Sequence, residues 1–114
     1  MSNDSRRGPA APDALLQLLG LAARAGAVLP GTERVREAAR SGNLHFALIA
    51  ADASDNSRDK LLPLLDARQV AYAVVYDRAA LGGAVGRAPL SAVGITERKL
   101  ALRVEELIPE LEKD

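Results

Sequence analysis

The chain contains one histidine, His45, and no cysteine. A lone imidazole cannot assemble the three or four nitrogen and sulfur ligands that zinc requires, so a structural or solvent-exposed His45 is the simpler reading. Asp52, Asp55 and Asp59 lie close in sequence but lack the alternating oxygen ligands and central Gly of a calcium loop. Helix capping explains Asp55 more simply. A serine nucleophile would need a Gly-x-Ser-x-Gly turn between a strand and a helix, and no such segment occurs. Gly26-Ala27-Val28-Leu29-Pro30-Gly31 has the glycine spacing of a phosphate-cradling loop. That loop next needs Lys, whereas Thr32 stands there, and a helix rather than a strand precedes Gly26. ATP or GTP binding is excluded on that ground. No acid–base or metal set converges, and the expectation is a non-enzymatic protein with no metal and no cofactor.

The chemistry that remains is anion binding at a helix start. Gly26 to Gly42, G-A-V-L-P-G-T-E-R-V-R-E-A-A-R-S-G, reads as a helix end, a brief extended run, a Pro-Gly turn and a second helix capped by Thr32. A helix start exposes unpaired N–H groups and the positive end of a dipole, which suits a phosphate. A capped surface helix with no ligand is the competing reading of the same residues.

The elements that must hold this corner follow from periodicity. Apolar residues at 15, 18, 19, 22 and 23 predict an amphipathic helix from Asp13 to about Ala25. Val28-Leu29 is a short strand. The second helix, about Glu33 to Ser41, buries Val35, Ala38 and Ala39 and leaves Arg34, Arg36, Glu37 and Arg40 outside. Phe46 to Ala51 is a continuous apolar run, as expected of a strand buried on both faces. Ser54 or Asp55 caps a third helix reaching about Arg68, which Pro63 should kink or restart. A strand over Ala71 to Tyr76 follows, and then a short helix capped by Asp77 and running through about Val85. Gly86 to Leu90 is a loop, and Ala92 to Ile95 a final strand. Thr96 caps a last helix that Pro109 should end or bend. Gly82 and Gly86 have a spacing associated with tight packing. Residues 1–11 are polar and expected to be a disordered tail, leaving 12–114 as one domain. Alternating helices and strands predict an α/β fold with a four-stranded sheet covered by helices on both faces.

Composition limits the partners. Aromatic residues make up only 3% of the chain, so base-stacking platforms are not expected. No apolar run approaches the length of a membrane span and no charged-then-apolar leader is present, so a cytoplasmic protein without membrane contact is expected. The net charge is zero but unevenly placed. From Leu100 onward Arg103 and Lys113 face Glu105, Glu106, Glu110, Glu112 and Asp114, a balance of −3, so the first 99 residues carry +3. A mildly basic body permits phosphate contacts.

Four segments together resemble the L7Ae/L30e ribosomal protein superfamily, in particular its small bacterial ribosomal-protein-like branch. They are L-L-G-L-A-A-R-A-G, P-G-T-E-R-V-R-E-A-A-R-S-G, A-L-I-A-A-D-A-S-D-N-S-R-D-K-L-L-P-L and L-G-G-A-V-G-R, and the likeness covers roughly residues 14 to 100. The resemblance implies a three-layer α-β-α sandwich with a four-stranded mixed sheet, no catalysis and no cofactor. It also implies binding of structured, kink-turn-like RNA, ribosomal or other non-coding.

Residue by residue, Gly31 and Thr32 match the helix start of kink-turn binders, but Glu33 replaces Asn, Arg34 replaces Glu and Glu37 replaces Lys. Asp52 matches the acidic residue after the central strand, and Arg78 keeps the positive charge of a lysine near the fourth helix. The loop Gly86 to Ser91, with Arg87, Ala88, Pro89 and Leu90, corresponds to one that sets apolar side chains against an extruded base. Exchanging Glu for Arg inverts the donor and acceptor pattern needed to read base edges, and Glu37 repels phosphate. Arg34, Arg36, Arg40 and Arg78 still suit phosphate contacts, which position RNA without reading its sequence. The expectation is RNA binding with altered kink-turn selectivity. The alternative is a protein-interaction or assembly module that has kept the fold and lost RNA affinity, with a protein partner on the acidic C-terminal helix.

Overall fold

The structure, a computed structural model, describes residues 11–112, with side chains from 14 to 108. The tail expected over residues 1–11 lies outside the described residues, except that Ala11 begins the first helix. In chain order the elements are α1 (Ala11–Arg24), β1 (Val28–Pro30), α2 (Thr32–Ser41), β2 (Phe46–Ile49), α3 (Asp55–Ala67), β3 (Tyr72–Val74), α4 (Arg78–Ala84), β4 (Ala92–Ile95) and α5 (Arg98–Glu112). The strands form one mixed sheet in the order β1-β4-β2-β3. β2 runs parallel to β3, and β4 runs antiparallel to both β1 and β2. α2 packs with α3 on one side of the sheet, and α1 packs with α4 and α5 on the other. This is a three-layer α-β-α sandwich.

The apolar spacing explains the layers. Leu15 and Leu19 of α1, Val35 of α2, Leu61 and Leu65 of α3, and Val104 of α5 are completely buried against the sheet. β2 and β4, the two inner strands, are buried at every position because helices cover both faces. Burying each such Leu or Ile contributes about 1.5–3 kcal/mol. No polar or charged side chain among the described residues is buried. Among those residues, no helix is long and apolar enough to cross a membrane.

Several boundaries differ from expectation. Thr32 is the first residue of α2 and not its cap, a place taken by Gly31. Pro63 lies inside a single continuous α3 and does not restart it. Pro63 and Asp59 are both exposed, so the Asp59 carbonyl deprived of an N–H partner faces water, while Leu61 and Leu65 pin the helix from beneath. β3 is confined to Tyr72–Val74, shorter than the run from Ala71 to Tyr76. Thr96 does not cap α5, which starts at Arg98. Its hydroxyl instead donates to the Ala27 carbonyl at 3.4 Å, and the carbonyl of Glu97 accepts the first helical bond, from the Ala101 N–H. α5 also continues past Pro109 to Glu112. The expected caps at Ser54 and Asp77 are present, accepting from the Ser57 and Ala80 amides respectively.

Candidate functional site

Strand register brings four chain corners to one end of the sheet. Pro30 pairs with Val93, Ile49 with both Ala92 and Val74, so the ends of β1, β2 and β3 lie beside the beginning of β4. Three backbone bonds tie the corners together: Gly31 N–H donates to Ala92 O at 2.9 Å, Ala50 N–H to Ser91 O at 2.9 Å, and Ala51 N–H to Tyr76 O at 2.7 Å. The starts of α2, α3 and α4 therefore share this end.

These three helix starts are not equivalent. Ser54 caps α3 and Asp77 caps α4. The Asp52 carboxylate also accepts the Arg78 N–H at 2.8 Å and pairs with the Arg78 guanidinium at 3.5 Å. At the start of α2, Gly31 has φ 104° and ψ 155°, and no side chain caps the helix. That backbone conformation is open to Gly and strained for residues with a Cβ. The Thr32 hydroxyl turns sideways and donates to Ser57 Oγ at 3.5 Å. Since the Gly31 N–H is taken by β4, the amides facing outward are those of the first turn, Thr32 to Arg34, which have no acceptor within the helix.

Charged side chains around this corner fall into paired and unpaired sets. Glu33 accepts from Arg36 at 2.9 Å and from Lys60 of α3 at 3.5 Å. The Arg36 hydrogen bond, aided by the charges of Arg36 and Lys60, holds the Glu33 carboxyl below the usual carboxylate range. Asp52 is also held low, first by the Arg78 backbone N–H and then by the Arg78 charge. Both folded-state values are depressed, so the stability from these pairs is complete above the ordinary values of 4.5 for Glu and 3.8 for Asp. It is lost as the pH falls through the lower folded values. Melting curves against pH should accordingly show a flatter acid limb in the Glu33→Gln/Asp52→Asn variant than in the wild type. Identical acid limbs would mean that neither pair forms in solution.

Arg34 and Arg87 are exposed and have no ion-pair partner among the described residues. Glu37 lies on the flank of α2 away from α3, where it lines a shallow hollow with Leu29, Arg34, Asn43 and Thr96. Arg40 lies near the far end of α2, about 12 Å along the helix from Thr32 at 1.5 Å per residue. It is thus on the same helix as the corner but not at it. Arg87, Ala88 and Pro89 are exposed beside α4, whereas Leu90 is half-buried and packs against the core. The loop is clamped: Arg87 N–H donates to Gly82 O at 2.8 Å and Leu90 N–H to Arg78 O at 3.0 Å.

Some participants had no local signal in the sequence. Lys60 and Ser57 reach the α2 start from another helix, and Arg58 donates to Ala51 O at 2.8 Å. The tight packing expected at Gly82 is real, but its neighbours are Ala88 and Pro89, not Gly86. His45 is exposed, and no group of acidic or imidazole side chains among the described residues is arranged to hold a metal ion.

Comparison with known proteins gives a consistent set of likenesses. The model of the ribosomal protein L7Ae/L30e/S12e/Gadd45 family matches residues 13–103. RNA-binding protein YlxQ of Bacillus subtilis (strain 168) is 32% identical over 91 residues, spanning 80% of this chain and 91% of that protein. A solved structure of a protein of unknown function from Bacillus halodurans C superposes with a TM-score of 0.79 at 33% identity, covering 83% of this chain and 96% of the other. The Giardia lamblia 15.5 kD RNA-binding protein has the same fold, with a TM-score of 0.72 at 23% identity over 98% of this chain and 92% of its own.

Proposed function

This chain belongs to the ribosomal protein L7Ae/L30e/S12e/Gadd45 family, and from that membership we propose that it binds structured RNA at the sheet end where α2, α3 and α4 begin. The observation that carries the reading is the start of α2, which no side chain caps. Its outward amides and dipole favour a phosphate, and Arg34 in the same first turn adds an unpaired positive charge, while the exposed Arg87 lies on the loop beside α4. On the other side of this end, Ala88 and Pro89 offer a small apolar surface on a clamped loop. A sharply bent RNA, kink-turn-like and ribosomal or otherwise non-coding, suits two such contacts separated by the Asp52–Arg78 pair. Its phosphates meet the α2 start, and an extruded base lies against the loop.

Glu33 shifts the balance away from base reading. Its carboxylate already accepts from Arg36 and Lys60, so RNA entering the corner must share or displace those bonds. Phosphate contacts therefore dominate affinity, and selectivity comes from the shape of the bend. The similarity to two proteins described as RNA-binding supports the same partner class.

Titration of a kink-turn RNA and a straight duplex at several salt concentrations tests this reading. The expected result is tighter binding of the bent RNA at every salt concentration, with log affinity falling linearly in log salt. Equal binding of both RNAs would reduce the site to backbone attraction. No binding of either at low salt would overturn the proposal in favour of a protein-interaction module.

A further inference from the structure

Helices α2 and α3 run side by side in the same direction, because both follow parallel strands that finish at the same end of the sheet. Their contacts follow that register. Thr32 meets Ser57 at 3.5 Å, Glu33 meets Lys60 at 3.5 Å, and the Arg68 guanidinium reaches the Arg40 carbonyl at 2.6 Å. Arg36, Arg40, Lys60 and Arg68 thus line one seam, and Glu33 is the acid among them. Helical geometry turns the other acids of α3 away from the seam, whereas Glu37 follows Glu33 by one turn, about 40° round α2. Asp59 and Asp66 project about 160–180° round α3 from the line through Ser57, Leu64 and Arg68, and Glu37 lines the hollow beside β1.

The seam is more cationic than holding two helices together requires. Arg68 has a structural task, closing the last carbonyls of α2. Arg36 is drawn toward Glu33. Lys60 is an exposed partner at 3.5 Å, and Arg40 has no ion pair among the described residues. Exposed pairs of this kind contribute little to stability. The seam begins at the α2 start and extends from Glu33 to Arg40 by about 10 Å at 1.5 Å per residue. That length is enough for more than one phosphate of a strand whose charges rise about 3.4 Å each along the duplex axis.

From this continuity and charge complementarity we infer that the α2–α3 seam is a second RNA surface, a track that grips the backbone of the stem flanking the bend held at the α2 start. The inference rests on the RNA-binding reading above and assigns to α3, through Lys60 and Arg68, a share in affinity. Lys60 and Arg40 contact phosphates directly, and Arg68 fixes the end of the track. Stem sequence is not read, because ammonium and guanidinium groups on phosphate carry no base information.

The test compares the full chain with its Arg40→Gln/Lys60→Gln variant, using kink-turn RNAs with a short or a long flanking stem. Wild type is expected to bind the long-stem RNA about tenfold more tightly, and the variant to lose that preference. The slope of log affinity against log salt should drop by about 0.7–0.9 for each phosphate contact removed. Melting temperatures of the two proteins should agree within a few degrees, since both replaced side chains are exposed. Wild-type binding without a stem-length preference would overturn the track while leaving the corner site intact. So would a variant that keeps both the preference and the slope. Failure of the wild type to bind any RNA would overturn both readings.

Discussion

Replacing Arg34 and Arg87 together by glutamate is expected to lower affinity for a bent RNA at least about a hundredfold, about 2.8 kcal/mol at 1.4 per factor of ten. One side chain is in the first turn of α2 and the other in the loop beside α4, so the pair samples both of the contacts proposed for a bent RNA. Each reversal removes an attraction and introduces a like-charge contact, so the loss exceeds that of simple truncation. Stability should scarcely move. Both side chains are exposed and make no ion pair among the described residues, and such surface changes usually stay within about 0.5 kcal/mol. A glutamate at position 34 is even mildly favourable next to the helix dipole. Arg36 is a poorer choice for this experiment, because its side chain is only 22% exposed and is bonded to Glu33. RNA affinity that survives the Arg34/Arg87 reversal, in a protein with unchanged melting, would remove the corner as the binding site.

Gly82→Ala should be the most damaging single methyl group on this face. A Cβ there would come within 2.1 Å of the Ala88 carbonyl oxygen and 2.9 Å of Pro89 Cα, both backbone atoms with no side-chain freedom to yield. Either α4 or the loop must shift, and overpacking of this kind costs about 1–3 kcal/mol. In a domain of about this size that corresponds to a fall in melting temperature of roughly 10 °C. The loop is also expected to lose its bonds from Arg87 to Gly82 and from Leu90 to Arg78, so RNA affinity should fall with it. The neighbouring residue is the control. A Cβ at Gly83 meets nothing within 4 Å, and Gly83→Ala in the same helix should stabilise by up to about 1 kcal/mol. Equal melting temperatures for the two variants would show that the loop does not rest on α4 in solution.

Much of the site's framework was readable along the chain. Leu15, Leu19 and Ala22 marked the buried side of α1, Val35, Ala38 and Ala39 that of α2, and the apolar run Phe46 to Ala51 the inner strand, which ends two residues earlier at Ile49. The caps at Ser54 and Asp77 and the turn at Gly26, where φ is 75°, were equally local signals. Errors fell where a local preference met a competing partner. Thr32 is a good N-cap by type, yet the chain turns one residue earlier at Gly31, and its hydroxyl finds Ser57 instead. Thr96 likewise gives its hydroxyl to Ala27. Pro63 is a helix breaker by type but stays within α3, whose Leu61 and Leu65 are buried around it. Leu90 looked like a member of an exposed apolar loop, and packing draws it toward the core.

Sequence by itself determined the kind and order of the elements, their buried faces and the family likeness, because periodicity, capping and turn chemistry act over a few residues. It could not determine that β4 inserts between β1 and β2, that Lys60 crosses 27 positions to reach Glu33, or that a loop carbonyl lies against Gly82. Those outcomes depend on which distant segments the sheet brings side by side. Only the folded chain decided that the α2 start is left open while its neighbours are capped.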